Sequence, residues 1–361
     1  MIQKLRLLDE ERKKIKLGMY SYTYARVSVM RTFLIKKEDY YKLLKMSLSE
    51  ITKFLQDSQY RAEINKLATE YSGIDLIEVA LNQNLVGTFN KLKMISAQEI
   101  VLLIEKYSKR MDLRNIKTIL RAKFIGKKKE EIKNLLIPVG IFTMGDLEKL
   151  IKKDSIEEIL KEQKLADFSS LATAFEDFKK NNRLTQIENA FTKFYYEDLM
   201  KFTTILPTEG RLFKEFLETE IEILNIMTML RLKKENLEKD KIKNYLIFSG
   251  DRVEDAKVLK MLEIEKLNDL ISHLEKTKYH DIVKKASARF EIDQSLIEFD
   301  IFFNKYLLKK SILLLHQHPL TIDIILGYMF AKEIEVKNLK TIIKGKQLGL
   351  KESMIENMLV I

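Results

Sequence analysis

One twelve-residue segment occurs three times in this chain: Asp112-Leu-Arg-Asn115-Ile-Lys-Thr118-Ile-Leu-Arg121-Ala-Lys123, Glu222-Ile-Leu-Asn225-Ile-Met-Thr228-Met-Leu-Arg231-Leu-Lys233, and Glu335-Val-Lys-Asn338-Leu-Lys-Thr341-Ile-Ile-Lys344-Gly-Lys346. The three asparagines stand 110 and 113 residues apart. Each copy is followed by a similar helix ending in Asn134-Leu-Leu-Ile137, Asn244-Tyr-Leu-Ile247 or Asn357-Met-Leu-Val360, and preceded by an Ile-Glu pair, at Ile77-Glu78, Ile187-Glu188 and Ile297-Glu298. Three markers at one period call for a common structural unit. A period this long exceeds the roughly 20 to 50 residues of ordinary solenoid units, so the unit is a domain-sized bundle used three times. Three such bundles side by side suggest a pseudo-threefold body. The expected divisions are 1–140 for an N-terminal helix plus the first repeat, 141–250 for the second and 251–361 for the third.

The bundles are expected to be all-α. Apolar residues recur at helical spacing, as in Ile100, Leu103, Ile104 and Tyr107, and alternating strand-like runs are hard to find. Gly (11) and Pro (3) are scarce in 361 residues, as few turns and long helices require. The usable breaks are Pro138-Val-Gly140, Pro207-Thr-Glu-Gly210, Gly250-Asp251 and His318-Pro319. On a helical projection the repeat's acid, its asparagine and its final lysine (Asp112, Asn115, Lys123) share the arc of Ile116, Ile119 and Leu120. Asp112, Asn115 and Lys123, with Glu222, Asn225, Lys233, Glu335, Asn338 and Lys346, form the repeat signature. A ligand site is one reading of the asparagines. The favoured reading is a buried hydrogen bond between helices, because equivalent packing demands three copies and a reaction centre does not. Arg121 lies on the opposite arc, beside Lys117 and Arg114; with Arg231 and Lys344 it is a candidate for contact with a partner.

Chemistry is conspicuously thin. With no cysteine there is no disulfide, thiolate nucleophile or thiolate metal site, and a reducing, cytosolic setting is expected. Gly126-Lys127 and Gly345-Lys346 lack the rest of a phosphate-binding loop, so ATP binding is not expected. His316 and His318 diverge on a helix, and His273 and His280 share a face without a third ligand, so no metal is expected. No catalytic residue and no cofactor emerge. The stretches Ile312 to Leu315 and Ile324 to Leu326 are far short of a bilayer span, and the opening MIQKLRLLDEERKKIK is too charged for a signal peptide. The formal net charge of +11 admits nucleic acid, anionic lipid or an acidic partner. Against a nucleic-acid tail, the run Lys127 to Lys129 is followed at once by Glu130 and Glu131. Tyr20, Tyr22, Tyr24, Tyr40 and Tyr41, near Arg26 and Arg31, mimic a stacking platform, but Tyr20, Tyr24, Val27 and Arg31 follow core spacing. A basic α-helical scaffold for nucleic acid is the alternative class; an enzyme with an unrecognised site is the third.

Tyr22-Thr-Tyr24-Ala25-Arg26-Val-Ser-Val-Met30-Arg31, followed by Asp39-Tyr-Tyr-Lys-Leu-Leu44, is similar to the start of the C-type (or d-type) stalk subunits of V/A-type ATPases. The triplicated helix is similar to that family's internal repeats, and the resemblance runs from Tyr20 to Ile361. The departures are a divergent stretch from Ile156 to Phe178, and Lys344 and Ile343 where the other copies have Arg and Leu. The resemblance implies a funnel-like helical body seated on the membrane rotor ring, receiving the foot of the central stalk (the D-type and F-type components). It implies a mechanical coupler of ATP turnover to proton or sodium movement that binds no nucleotide, uses no cofactor and contacts no nucleic acid. Its location would be cytoplasmic, held peripherally at the membrane through the ring.

Overall fold

The computed structural model describes residues 20–206, 210–250, 252–317 and 321–361. The breaks expected at Pro207, Asp251 and Pro319, the opening charged segment and His318 lie outside the described residues, as does the side chain of His316. Every regular element among the described residues is a helix. After a leading helix α1 (Ser21–Thr32) come three short helices, two long ones and a short closing one: α2 (Lys37–Lys45), α3 (Leu48–Gln56), α4 (Arg61–Leu67), α5 (Gly73–Met94), α6 (Gln98–Phe124) and α7 (Lys129–Lys133). The same series recurs as α8 (Met144–Lys152), α9 (Ile156–Glu162), α10 (Phe168–Asn181), α11 (Thr185–Thr203), α12 (Arg211–Lys234) and α13 (Lys239–Lys243). It recurs again as α14 (Arg252–Glu263), α15 (Leu267–Leu274), α16 (His280–Asp293), α17 (Ile297–Gln317), α18 (Asp323–Gln347) and α19 (Glu352–Met358).

Local sequence sets these boundaries. Ser47 with Glu50 and Thr143 with Asp146 form capping boxes that start α3 and α8, satisfying backbone donors that the first turn leaves free. The three long repeat helices stop alike. Gly126, Asn236 and Gly349 each take a positive φ, at 72°, 57° and 65°. The next residue's N–H then bonds back to a carbonyl near the helix end, Lys127 to Ala122 O, Leu237 to Leu232 O and Leu350 to Gly345 O. These stops lie 110 and 113 residues apart, the period of the asparagines.

Packing between the series is cyclic. α6 packs along α11, α12 along α17, and α18 returns to α5, while α19 packs on α2. The third long helix is the most enclosed: α18 buries 18 of its 25 residues, against 13 of 27 in α6, because α1 and α5 cover faces that α6 leaves open. One apolar core runs from α1 through α11 into α18, and a second joins α12 to α17; Phe216 and Phe330 meet edge to face at 5.2 Å where α12 and α18 approach.

One marker is corrected. Ile77 and Ile187 are fully buried, but Ile297 is 58% exposed and Phe299 occupies the buried position instead. Ile297 opens α17, and a register two residues later puts Phe299-Asp300 where the other copies have Ile-Glu. The third copy's longer period carries this shift, which spacing by identity conceals.

Candidate functional site

The signature asparagines make three equivalent clamps. Asn115 Nδ2 donates to Ile137 O at 2.8 Å and its Oδ1 accepts from Ile137 N at 2.9 Å. Asn225 does the same with Ile247 at 2.7 and 2.8 Å, and Asn338 with Val360 at 2.8 and 2.9 Å. Each amide is buried and lies 22 residues before its partner. An asparagine is suited to this because its side chain carries both a donor and an acceptor, as a backbone peptide does. The partner is the non-helical segment after the closing helix of the same copy, where a neighbouring helix was expected. In each clamp one amide N–H and the amide oxygen are engaged by the backbone.

The acids lead the chain onward to the next segment. Asp112 accepts from Ile141 N at 2.7 Å and Phe142 N at 3.3 Å. Burial pushes its carboxyl up to about 6, against the opposing effect of those two N–H bonds. Gly140 is obligatory beside it: a Cβ there would stand 1.8 Å from Asp112 Oδ2. Glu222 accepts from Tyr279 Oη at 2.8 Å and pairs with Lys278. Glu335 accepts from Ile35 N at 2.6 Å and from Tyr60 Oη and Lys332 Nζ. Tyr60 and Tyr279 immediately precede α4 and α16, so they are positional equivalents. The lysines cap carbonyls: Lys233 Nζ donates to Leu262 O at 3.0 Å and Lys346 Nζ to Leu44 O at 2.6 Å, whereas half-buried Lys123 has no such bond among the described residues. Both Glu335 and Lys346 thus reach back to the N-terminal segment, which does for the third copy what α14 to α16 do for the second.

Arg121, Arg231 and Lys344 each cross to the following copy. Arg121 forms a two-pronged pair with Glu188 at 2.6 Å, Arg231 pairs with Asp300 at 3.2 Å, and Lys344 pairs with Glu78 at 3.0 Å. All three cations are more than half exposed. Their carboxylates include two of the repeated Ile-Glu pairs.

A fourth equivalent set is hidden from comparison by residue identity. Arg110, Glu220 and Glu333 stand 110 and 113 residues apart on α6, α12 and α18 and meet: Arg110 bonds Glu220 and the Tyr107 hydroxyl, and its Nε lies 3.7 Å from Glu333 Oε2. Glu220 Oε2 and Glu333 Oε1 are buried with no hydrogen-bond partner among the described residues. One guanidinium serves two carboxylates, and burial with the nearby Glu220 charge pushes Glu333 up to about 7 against the pull of Arg110. The signal lies in the period alone, because the residue type changes from copy to copy.

Tyr20 and Tyr24 pack on the core around fully buried Val27, while Tyr22 is 65% exposed. His273 and His280 belong to no metal cluster: among the described residues no three His, Cys, Asp or Glu side chains group as ligands. No helix among them is long and apolar enough to cross a membrane.

Comparison with known proteins decides the family. The description "ATP synthase (C/AC39) subunit" matches residues 23–358. The chain belongs to that family. Among its relatives, the C subunit of the A-type ATP synthase of Methanococcoides burtonii is 35% identical, covering 95% of this chain and 94% of that protein. The corresponding protein of Methanosarcina mazei is 34% identical over 97% and 95% of the two chains, and that of Haloferax volcanii 33% over 94% and 97%. As a C/AC39 family member the chain is an ATP synthase subunit, and ATP synthesis and ion transport follow from that membership. The nucleic-acid scaffold is not favoured by this membership.

Proposed function

We propose that this chain is the non-catalytic subunit that joins the central stalk of an A-type rotary ATP synthase to its membrane rotor ring, transmitting torque between them. The observation that carries this reading is the cyclic set of joints. Arg121 to Glu188, Arg231 to Asp300 and Lys344 to Glu78 tie each copy to the next and the last to the first. A body closed on itself in this way resists twisting better than an open row of bundles, because no copy is held on one side alone. We take its form to be a pseudo-threefold funnel of units 1–140, 141–250 and 251–361, with the segment around Ile35 to Tyr60 completing the third. Its partners are the D-type and F-type stalk components and the ring, its place is the cytoplasmic face of the membrane, and the coupled ion is a proton or sodium. The clamps, acids and lysines of the repeat are structural in this reading, and Arg121, Arg231 and Lys344 present their exposed portions to a partner. The test is co-sedimentation of the purified chain with the purified stalk pair and, separately, with detergent-solubilised ring. Binding to both supports the reading, and binding to neither removes it.

A further inference from the structure

A cavity of about 700 Å³ lies between α6, α17 and α18. Its floor holds the Arg110, Glu220 and Glu333 cluster. One helical turn beyond, Arg114 of α6 and Lys337 of α18 line it, and Lys340 and Lys344 follow along α18. Apolar side chains, Leu85, Leu307 and Phe330 among them, complete the wall. Lys344 already pairs with Glu78 at 3.0 Å, and Lys340 donates to the neutral amide oxygen of Asn82 at 2.5 Å. The side chains of Arg114 and Lys337 have neither ion pair nor hydrogen bond among the described residues.

The repeat does not require these cations. Where α6 has Arg114 and Lys117 and α18 has Lys337 and Lys340, α12 has Leu224 and Met227 at the equivalent positions. Two copies therefore carry charge that the third packs without, and most of it gathers at one cavity. The crowding has a visible cost: burial and the neighbouring Arg114 push Lys340 down to about 7, and burial lowers Lys337 and Arg114 as well. A bound anion would relieve that cost.

We propose that this cavity is a binding site for a multivalent oxyanion of the phosphate class, held by Arg114, Lys337 and Lys340. A guanidinium offers paired N–H donors to two oxygens of one phosphoryl group, and the two ammonium groups add point charges. The proposal is independent of the stalk-coupling reading. It is tested by calorimetric titration of the full chain with tripolyphosphate at low salt, with the hexaglutamate peptide as the rival ligand. The expected result is one tripolyphosphate per chain, weakened by at least about tenfold in Arg114→Gln and in Lys337→Gln and unchanged in Lys285→Gln, a control on the exposed face of α16. At pH 8 binding should also take up protons, read from titrations in two buffers of different ionisation enthalpy, because the anion restores the charge of Lys340. Unchanged melting temperatures in both glutamine variants would separate lost binding from lost fold. Absent binding, or binding that ignores both substitutions, overturns the proposal. So does tighter binding of hexaglutamate through the same residues, which would make the cavity a dock for an acidic protein segment.

Discussion

At the residue scale, the three asparagine clamps are the same pair of hydrogen bonds made three times, and we propose that their role is structural. Removing one side-chain amide leaves a buried N–H and a buried C=O unpaired at Ile137, Ile247 or Val360. Asn115→Ala, Asn225→Ala and Asn338→Ala should each cost about 1 to 3 kcal/mol per orphaned group, read as a lower denaturant midpoint. Because the clamps share no partner, double variants should lose the sum of the singles to within about 0.5 kcal/mol. The clamping residues were legible in the sequence because each is the same residue in all three copies, on an arc otherwise apolar. Their partner was not, because a backbone peptide group carries no identity to match. Asp112 and Gly140 were half legible in the same way: the acid repeats, but the approach that forbids a Cβ at position 140 exists only in three dimensions.

Between elements, exposure separates what holds the copies in register from what holds them together. The Arg121, Arg231 and Lys344 pairs are more than half exposed on the cation side, so charge attraction there is screened by water and offset by side-chain entropy. Arg121→Ala should therefore cost less than about 1 kcal/mol of stability, well under Asn115→Ala on the same helix, in the same unfolding experiment. The Arg110, Glu220 and Glu333 cluster behaves differently because it is buried. Glu333 titrates near 7 when folded and near its ordinary 4.5 when unfolded. Between those values the folded chain binds the extra proton, so stability is greatest at the acid end and declines as pH rises through about 7. Glu333→Gln should remove this slope while leaving the rest of the pH profile in place, a difference of up to roughly 3 kcal/mol across the window, measured as variant minus wild type. A variant with the wild-type slope would show that the cluster is already relieved by solvent. The long helices and their period were readable from apolar spacing, whereas their stops were not, because the left-handed residue is Gly126, Asn236 or Gly349 and so changes type from copy to copy. The inner cluster was not, since Arg, Glu and Glu at one period look like ordinary surface charge until three helices bring them together.

For the whole molecule, cyclic closure is the property that single segments do not predict. The sequence places three similar units in a row, but only the fold sends α18 back to α5 and lets Glu335 and Lys346 take their partners from Ile35, Tyr60 and Leu44, some 300 residues earlier for Ile35. The all-α class and the triplication were legible because period and hydrophobic spacing are local signals. The return of the last copy onto the first depends on contacts no local signal encodes. A body whose last copy packs back on its first suits the proposed part that carries force. That claim is tested most directly in a reconstituted A-type ATP synthase assembled with and without this chain, recording ATP hydrolysis and ion uptake into vesicles together. The account predicts that omission leaves hydrolysis by the catalytic head and abolishes ATP-driven ion uptake, which returns when the chain is added back. Ion uptake that continues at its normal rate without the chain would contradict it.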